Sequence, residues 1–413
     1  MKYVKDYECT LCHKTFPKTS TYMTCPECGE LGILDIRFDY EQMKKEVNLD
    51  YFKNNQEYSI WRYLPFLTVT SVDPKSTLSV GWSPLYSSSY FEKTLGVNKL
   101  YFKDDGQNPT SSLKDRASIV AVMKAKELGY DTIACSSTGN AASSLAGNAA
   151  KCGLKTVIFV PKRAPLGKLA QLKAFGTTLV KVDGDYKAAF TLSKLAINKY
   201  GWYNRNAAIN PHLVEGKKTV ALEIAEQLEF NVCDWVCVSV GDGCTIASVY
   251  KGFYDLFQLG LIAKIPKLLG IQAKGCSPFV KAFNDSCSLK ESKEDTIADS
   301  IAVGIPRNPV KAINAITKSS GMMISVTDEE ILSALKELGA KEGIFAEPAA
   351  SASFAGYLKA IQKGFILKSE TVTVIITGNG LKDTTSALSA FKEERNVLPN
   401  LEDLQIYLKE NIR

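Results

Sequence analysis

Histidine is almost missing from this chain, with two residues, His13 and His212, in 413. That shortage argues against catalysis built on a histidine dyad or triad, or on a His-rich catalytic metal site. It leaves acid–base work to Lys, Asp, Glu, Tyr or a cofactor. Long apolar runs are missing too. None reaches the ~18–20 residues that cross a membrane, and Met1-Lys-Tyr-Val-Lys-Asp has no apolar signal core. The expectation is a cytoplasmic protein with no membrane partner. No concentrated Lys/Arg block appears, and a formal charge of +6 is mild over this length. Neither feature points to nucleic acid. No internal repeat or low-complexity tract is present.

Cysteine, by contrast, is plentiful and odd in number, at eleven. Without a secretion signal, this argues for reduced thiols rather than a disulfide framework. Four of them form two Cys-x-x-Cys knuckles, Cys9 with Cys12 and Cys25 with Cys28. That spacing predicts a tetrahedral thiolate zinc site in an N-terminal zinc ribbon over residues 1–34. Four thiolates leave no open coordination position, so the expected zinc is structural. A redox pair is the rival reading. His13 adjoins Cys12, but the fourth cysteine makes it unnecessary as a ligand.

Apolar content of 45% and charged content of 23% describe an ordinary globular protein. A polar helical pattern is expected over 41–55. From Gly81 onward, strand-like and helix-like stretches alternate. Strands are expected at 99–104, 132–137, 156–160, 178–182, 235–240, 267–273 and 371–376. Helices are expected at 140–152, 166–175, 186–200, 244–259, 328–338 and 349–363. Short apolar strands alternating with helices predict α/β architecture with parallel sheets covered on both faces. In such sheets ligands bind beyond the strand C-terminal ends.

Four motifs lie at such ends. In Lys103-Asp-Asp-Gly-Gln-Asn-Pro-Thr-Ser-Ser-Leu-Lys114-Asp115-Arg116, a strand breaks into turn residues. A helix is expected to start at Ser111 or Ser112 with Lys114 in its first turn. The helix dipole there disfavours the charged lysine, as a covalent-catalysis lysine requires. Ser136-Ser137-Thr138-Gly139-Asn140 opens a helix after a strand. Its free backbone N–H groups suit a substrate carboxylate, and an Asn-capped helix is the plain alternative. Val240-Gly241-Asp242-Gly243-Cys244-Thr245 repeats that placement and suits a phosphate. Thr377-Gly378-Asn379-Gly380 ends the last long strand. The Thr377 hydroxyl is a neutral partner for a pyridine nitrogen, which favours elimination and replacement over amino transfer; a plain glycine turn is the alternative.

These motifs, in this order, resemble the threonine synthase family of tryptophan-synthase-β-like, fold type II pyridoxal phosphate enzymes. Supporting pieces are Gly167-Lys-Leu-Ala-Gln171, Asn210-Pro-His212 with Glu215-Gly216-Lys217-Lys218-Thr219, and Phe345-Ala-Glu347-Pro348-Ala. The resemblance covers about 80–400, and the ribbon occurs in some members. It implies two doubly wound, open parallel-sheet domains with the cofactor between them. Residues 35–413 would then form the catalytic region, with a smaller inserted subdomain at about 115–205. It implies that Lys114 carries pyridoxal 5′-phosphate and acts as the base. Asn140 would meet the cofactor's phenolic oxygen, Gly241, Asp242, Gly243, Cys244 and Thr245 its phosphate, and Thr377 its ring nitrogen. Ser137, Thr138 and Gly139 would take the substrate carboxylate.

The expected activity is a lyase reaction turning O-phosphohomoserine and water into threonine and phosphate. Departures from the family pattern bear on the substrate. Leu113 stands where Phe is usual, and Ala141, Ala207, Ala208 and Leu213 stand where phosphate donors are usual. Arg205, Lys217 and Lys218 are the candidate replacements, with Lys168 and Ser83 further candidates. The alternatives are β-replacement on a serine derivative, as in cysteate or cysteine synthase, and a threonine or serine dehydratase. A nucleic-acid-binding ribbon protein and a Ser111-x-x-Lys114 acyl-transfer motif are rival readings from other classes. The expected partners are a small amino-acid substrate and a second copy of the chain.

Overall fold

The computed structural model describes residues 1–162, 166–284, 288–393 and 395–411, with backbone alone at 166–168. The strands are β1 (Val4–Cys9), β2 (Thr15–Pro17), β3 (Leu34–Phe38), β4 (Leu85–Ser87), β5 (Lys99–Asp104), β6 (Thr132–Ser136), β7 (Lys155–Pro161), β8 (Thr178–Val182), β9 (Tyr203–Asn204), β10 (Trp235–Ser239), β11 (Lys267–Ala273), β12 (Met322–Val326) and β13 (Thr371–Ile376). They form three sheets, in the orders β2-β1-β3, β12-β11-β10-β13-β5-β4 and β8-β7-β6-β9.

The first sheet is antiparallel. Its β3 alternates buried Leu34, Ile36 and Phe38 with half-buried Asp35 and Arg37, the period of a strand with one face on a core. This strand runs past the boundary expected at residue 34. The other two sheets are parallel except at β4, which pairs antiparallel with β5. Strands β6, β7, β10, β11 and β13 are mainly apolar and almost wholly buried, as strands covered by helices on both faces are. In β10, Val236 and Val238 face one core while Trp235 and Cys237 face the other. The first of these cores also takes in Val4, Tyr7, Leu34, Ile36 and Phe38 of the N-terminal sheet.

The expected strands and helices appear in the expected order; the parallel sheets add three strands, β4, β9 and β12, and unexpected helices include Ser89–Leu95, His212–Lys217, Thr219–Gln227 and Pro309–Lys318. β4 and β9 are two or three residues long, and β12 carries no alternation in Met322-Met-Ile-Ser-Val. The helix expected over 41–55 is two short ones, Tyr40–Met43 and Leu49–Asn54, separated by an Asn48 cap. Among the described residues no helix is long and apolar enough to cross a membrane.

A buried ion network ties the larger sheet to the helix Lys114–Glu127. Arg116 forks onto Asp105 (Nε–Oδ2 2.6 Å) and Glu223 (Nη1–Oε1 2.5 Å). Lys103 adds a second cation on Glu223 at 2.7 Å. Backbone N–H groups of Trp82 and Ser83 donate to the same Glu223 carboxylate at 2.8 and 3.2 Å. Two cations face two carboxylates, and these side chains are fully buried. Burial alone pushes the Glu223 carboxyl up, but Arg116 and Lys103 pull it down to about 2.

Removing one partner leaves a buried charge uncompensated, which costs ~3–5 kcal/mol. Arg116→Met should lower the urea midpoint accordingly. A loss below ~1 kcal/mol would contradict the network's importance. Glu223 titrates lower in the folded than in the unfolded state. Its contribution is therefore complete above the usual carboxylate value and lost as pH falls towards about 2. The Glu223→Gln variant should lack that part of the acid-induced destabilisation.

Candidate active site

Lys114 is the first residue of its helix, two or three positions later than the sequence suggests. The loop before it is stitched to the end of β13. Leu113 N–H donates to Thr377 O at 2.9 Å, and Asn379 N–H donates to Ser111 O at 3.1 Å. Ser112 and Gly378 form an antiparallel bridge between them. Ser111 takes φ +67° to make the turn. Asp115 anchors the other side: its carboxylate accepts from Thr110 N and Oγ1, both at 2.8 Å, and from Asn148 Nδ2 at 2.7 Å. The lysine therefore starts a helix whose first residues are clamped on both flanks.

Burial holds the Lys114 ammonium below the usual lysine value, and Arg205 adds to the effect. Cys244, Asp242 and Glu347 oppose it. Burial, rather than the helix end emphasised by the sequence, leads here. A lysine in this state gives up its proton readily.

Two longer helices start in the same region with no side-chain cap. The helix Asn140–Cys152 follows Gly139, so Asn140 is its first residue and not its cap. The helix Cys244–Gln258 follows Gly243. Their first N–H groups have no intrahelical partner, which is the usual form of an anion site. Gly243 has φ +85°, and a Cβ there would meet Asn308 O at 2.9 Å and the Ala312 Cβ at 2.7 Å. Only glycine lets the loop pass. Asp242 is occupied structurally: its carboxylate accepts from Arg307 N at 3.3 Å and its carbonyl from Asn308 N at 3.0 Å. Ser137, Thr138, Gly139, Gly241, Thr245 and Thr377 are half-buried, and Cys244 is buried.

Asn140 Nδ2 donates to the Glu347 carboxylate at 2.9 and 3.2 Å. Glu347 is 3% exposed, and burial pushes its carboxyl up. Its backbone N–H donates to Gly378 O at 3.0 Å, joining it to the Thr377 turn. The sequence singled out the Glu347-Pro348 segment without giving the carboxylate a role; the visible signal was a glutamate just before a proline-started helix. Thr138, Gly139, Asn140, Ser143, Glu347 and Lys382 line an open cleft of about 70 Å³. Lys382 reaches across it to Ser143 Oγ (2.8 Å) and Gln171 Oε1 (2.7 Å).

Of the candidate phosphate donors, Lys218 is ruled out by its own partners, Glu215 at 2.5 Å and Asp255 at 2.6 Å. Ser83 donates to Asp105 at 2.6 Å and belongs to the buried network. The Lys168 side chain lies outside the described residues. Arg205 and Lys217 are buried beside Lys114, without a carboxylate partner among the described residues. His212 is a core residue: its Nδ1 is 2.9 Å from Thr68 Oγ1, and burial lowers its pKa to about 3, so it stays neutral.

In the N-terminal segment, the sulfur atoms of Cys9, Cys12, Cys25 and Cys28 all lie within 4.8 Å of one another. All four are free thiols. Gly32 closes against them, since a Cβ there would meet Cys28 Cβ at 2.6 Å, Cys25 Cβ at 2.7 Å and Cys9 Sγ at 3.3 Å.

An easily deprotonated lysine, two uncapped glycine-led helix starts and a surplus of buried cations fit a cofactor with an aldehyde and a phosphate. The sequence signature described as pyridoxal-phosphate dependent enzyme matches residues 76–378, and the fold and site define a protein of that class. Among solved structures, a diaminopropionate ammonia lyase from Escherichia coli superposes with a TM-score of 0.65 at 16% identity, over 83% of this chain and 95% of that one; this likeness concerns the fold. Among characterised relatives, a threonine synthase of Methanocaldococcus jannaschii is 40% identical over 97% of this chain and 99% of its own length. A threonine synthase of Methanosarcina acetivorans is 38% identical over 96% and 97%. The chain belongs to the threonine synthase family.

Gly243→Ala tests the loop. A side chain at this φ adds ~1–3 kcal/mol of strain before any clash. The variant should keep its far-ultraviolet circular dichroism but lose pyridoxal phosphate on dialysis far faster than the parent. Equal retention would remove residues 241–245 from the cofactor's phosphate.

Proposed function

We propose that the enzyme converts O-phosphohomoserine and water into threonine and phosphate. The observation that carries this reading is the end-to-end correspondence with threonine synthases, cysteine-bearing N-terminus included. In it, Lys114 holds pyridoxal phosphate, and Thr377 stands at the ring nitrogen. The amides of Gly241, Asp242, Gly243, Cys244 and Thr245 take the cofactor's phosphate. Asn140 turns from Glu347 to the phenolic oxygen. Ser137, Thr138 and Gly139 take the substrate carboxylate at the open start of the helix 140–152. When bound, pyridoxal phosphate supplies the electron sink that makes the proton on the amino-bearing carbon acidic. Lys114 Nζ takes the Cα proton and returns it later. Its burial holds its proton affinity below that of an ordinary lysine, which eases the return of the proton.

The four N-terminal cysteines are proposed to hold one structural zinc. The ribbon's sheet then ends with β3 at Phe38 rather than at residue 34, and the catalytic region follows it, with about 115–205 as its smaller subdomain.

The purified enzyme should release threonine and phosphate from O-phosphohomoserine in equal amounts; release of neither would overturn the substrate. Borohydride should fix the cofactor on Lys114, located by peptide mapping, and Lys114→Ala should abolish turnover. A label on another lysine would sink the assignment.

Elemental analysis should find one zinc per chain. Cys28→Ser should lower the melting temperature markedly while turnover at low temperature changes much less. Turnover lost at full stability would make the cysteines catalytic instead.

A further inference from the structure

The family resemblance expects substrate-phosphate donors at four positions that here hold Ala141, Ala207, Ala208 and Leu213. None of these side chains can donate. Ala208 packs against Ile33 and Cys244, and Leu213 is buried in the core around Val120 and Leu145. Those positions are filled with apolar contacts, so a phosphate ester needs other partners.

Two buried cations flank the first turns of the Lys114 helix, Arg205 through Ser118 and Lys217 through Gly216 packed on Arg116 and Ala117, and neither has an ion pair among the described residues. Arg205 follows β9, at the same end of its sheet as the start of the helix 140–152. Its guanidinium is 2% exposed, and its hydrogen bonds run to one neutral atom, Ser118 Oγ, from Nε at 3.2 Å and Nη2 at 3.0 Å. Its Nη1 has no hydrogen bond to a described residue. Lys217 ends the helix His212–Lys217 and is 3% exposed. Its ammonium has neither a hydrogen bond nor an ion pair among the described residues, whereas the neighbouring Lys218 has two carboxylates. Lys114 and Arg205 both act on Lys217 to lower its pKa, after burial itself, bringing it to about 8. Two acids in range are already engaged: Asp242 by the Arg307 backbone and Asp115 by Thr110 and Asn148. Buried charges of one sign persist when something of the other sign joins them.

We propose that Arg205 and Lys217 form a phosphate subsite that holds the phosphate ester of the amino-acid substrate, separate from the glycine-loop amides that hold the cofactor. This rests on the threonine synthase reading. Lys114 is taken by the cofactor, which leaves two cations for one phosphate of about −1.5 to −2 charge. The free edge of the Arg205 fork supplies directional donors and Lys217 a point charge. The cofactor's phosphate, by contrast, already has an uncapped helix start and a clash-limited loop.

The test uses the holoenzyme with inorganic phosphate as the probe, its binding read by calorimetry, so that no turnover is required. Lys217→Met should weaken phosphate binding, and raise the KM for O-phosphohomoserine, by roughly tenfold or more. Cofactor absorbance and affinity should stay unchanged. Lys217→Arg should retain phosphate binding, which separates charge from folding; Arg205→Lys should show an intermediate loss. Unchanged phosphate affinity in Lys217→Met, or no phosphate binding by the parent holoenzyme, overturns the subsite. Cofactor affinity falling in step overturns it too, because the two cations then serve the cofactor's own phosphate. If the parent binds phosphate through Lys217 but releases no threonine, the subsite stands as an anion site and the threonine synthase reading falls.

Discussion

The clamp around Lys114 is what the rest of the site depends on. Two residues further along the helix, Arg116 is bound to Asp105 at the end of β5 and to Glu223 of the helix Thr219–Gln227. One residue earlier, Leu113 is held by the last turn of β13. The helix therefore cannot slide or rotate without breaking either a desolvated ion network or the backbone stitch. A lysine side chain is long and flexible, and its reach is useful only if its root is fixed. The buried charges are costly to assemble and do little for stability against an apolar substitute of similar shape. Their directional bonds instead fix where the helix begins.

A second ionic chain does the same for Lys217. Glu215, two residues before it, holds Lys218 and Lys251, and Lys251 and Lys311 in turn hold Asp35 of β3 at 3.0 and 2.7 Å. Phe38 lies against the Lys218 ammonium, 4.0 Å from ring centroid to nitrogen. Tyr40 donates to Asp255, the other partner of Lys218, at 2.6 Å. The N-terminal sheet is thus fastened to the helix that carries Lys217, and its Ile33 touches Ala208 and Cys244. A structural metal in the cysteine knuckles would stiffen the sheet fastened to this helix, so the ribbon is mechanically linked to the proposed site.

Much of this was legible in the sequence, for physical reasons. Parallel strands buried on both faces are largely apolar runs, so β11 and β13 stand out with their true bounds. The helix over 140–152 does so because glycines bracket an alanine-rich, helix-favouring stretch. The cysteine spacing reads directly because thiolate ligands tolerate few geometries. What stayed hidden depends on partners far apart in the chain. Lys217 and Lys218 are adjacent and identical in type, yet one meets two carboxylates and the other none. Only the fold, which brings Asp255 to one and Lys114 with Arg205 to the other, separates them. Glu347 was hidden in the same way, since its partner Asn140 lies 207 positions away.

That Asn140–Glu347 contact bears on how the site is kept ready. Asn140 starts the helix after β6 of the smaller sheet, while Glu347 is bound through its backbone to the turn after β13 of the larger one. The bond therefore crosses between the two sheets, as do the bonds from Lys382 to Ser143 and Gln171. A buried carboxylate with few donors holds any amide it can reach. On the proposed reading, Asn140 would turn to the cofactor's phenolic oxygen, and Glu347 would lose a donor in a place where desolvation already raises its proton affinity. Taking up a proton or accepting from a ligand group restores the balance. The same exchange removes one tie across the cleft.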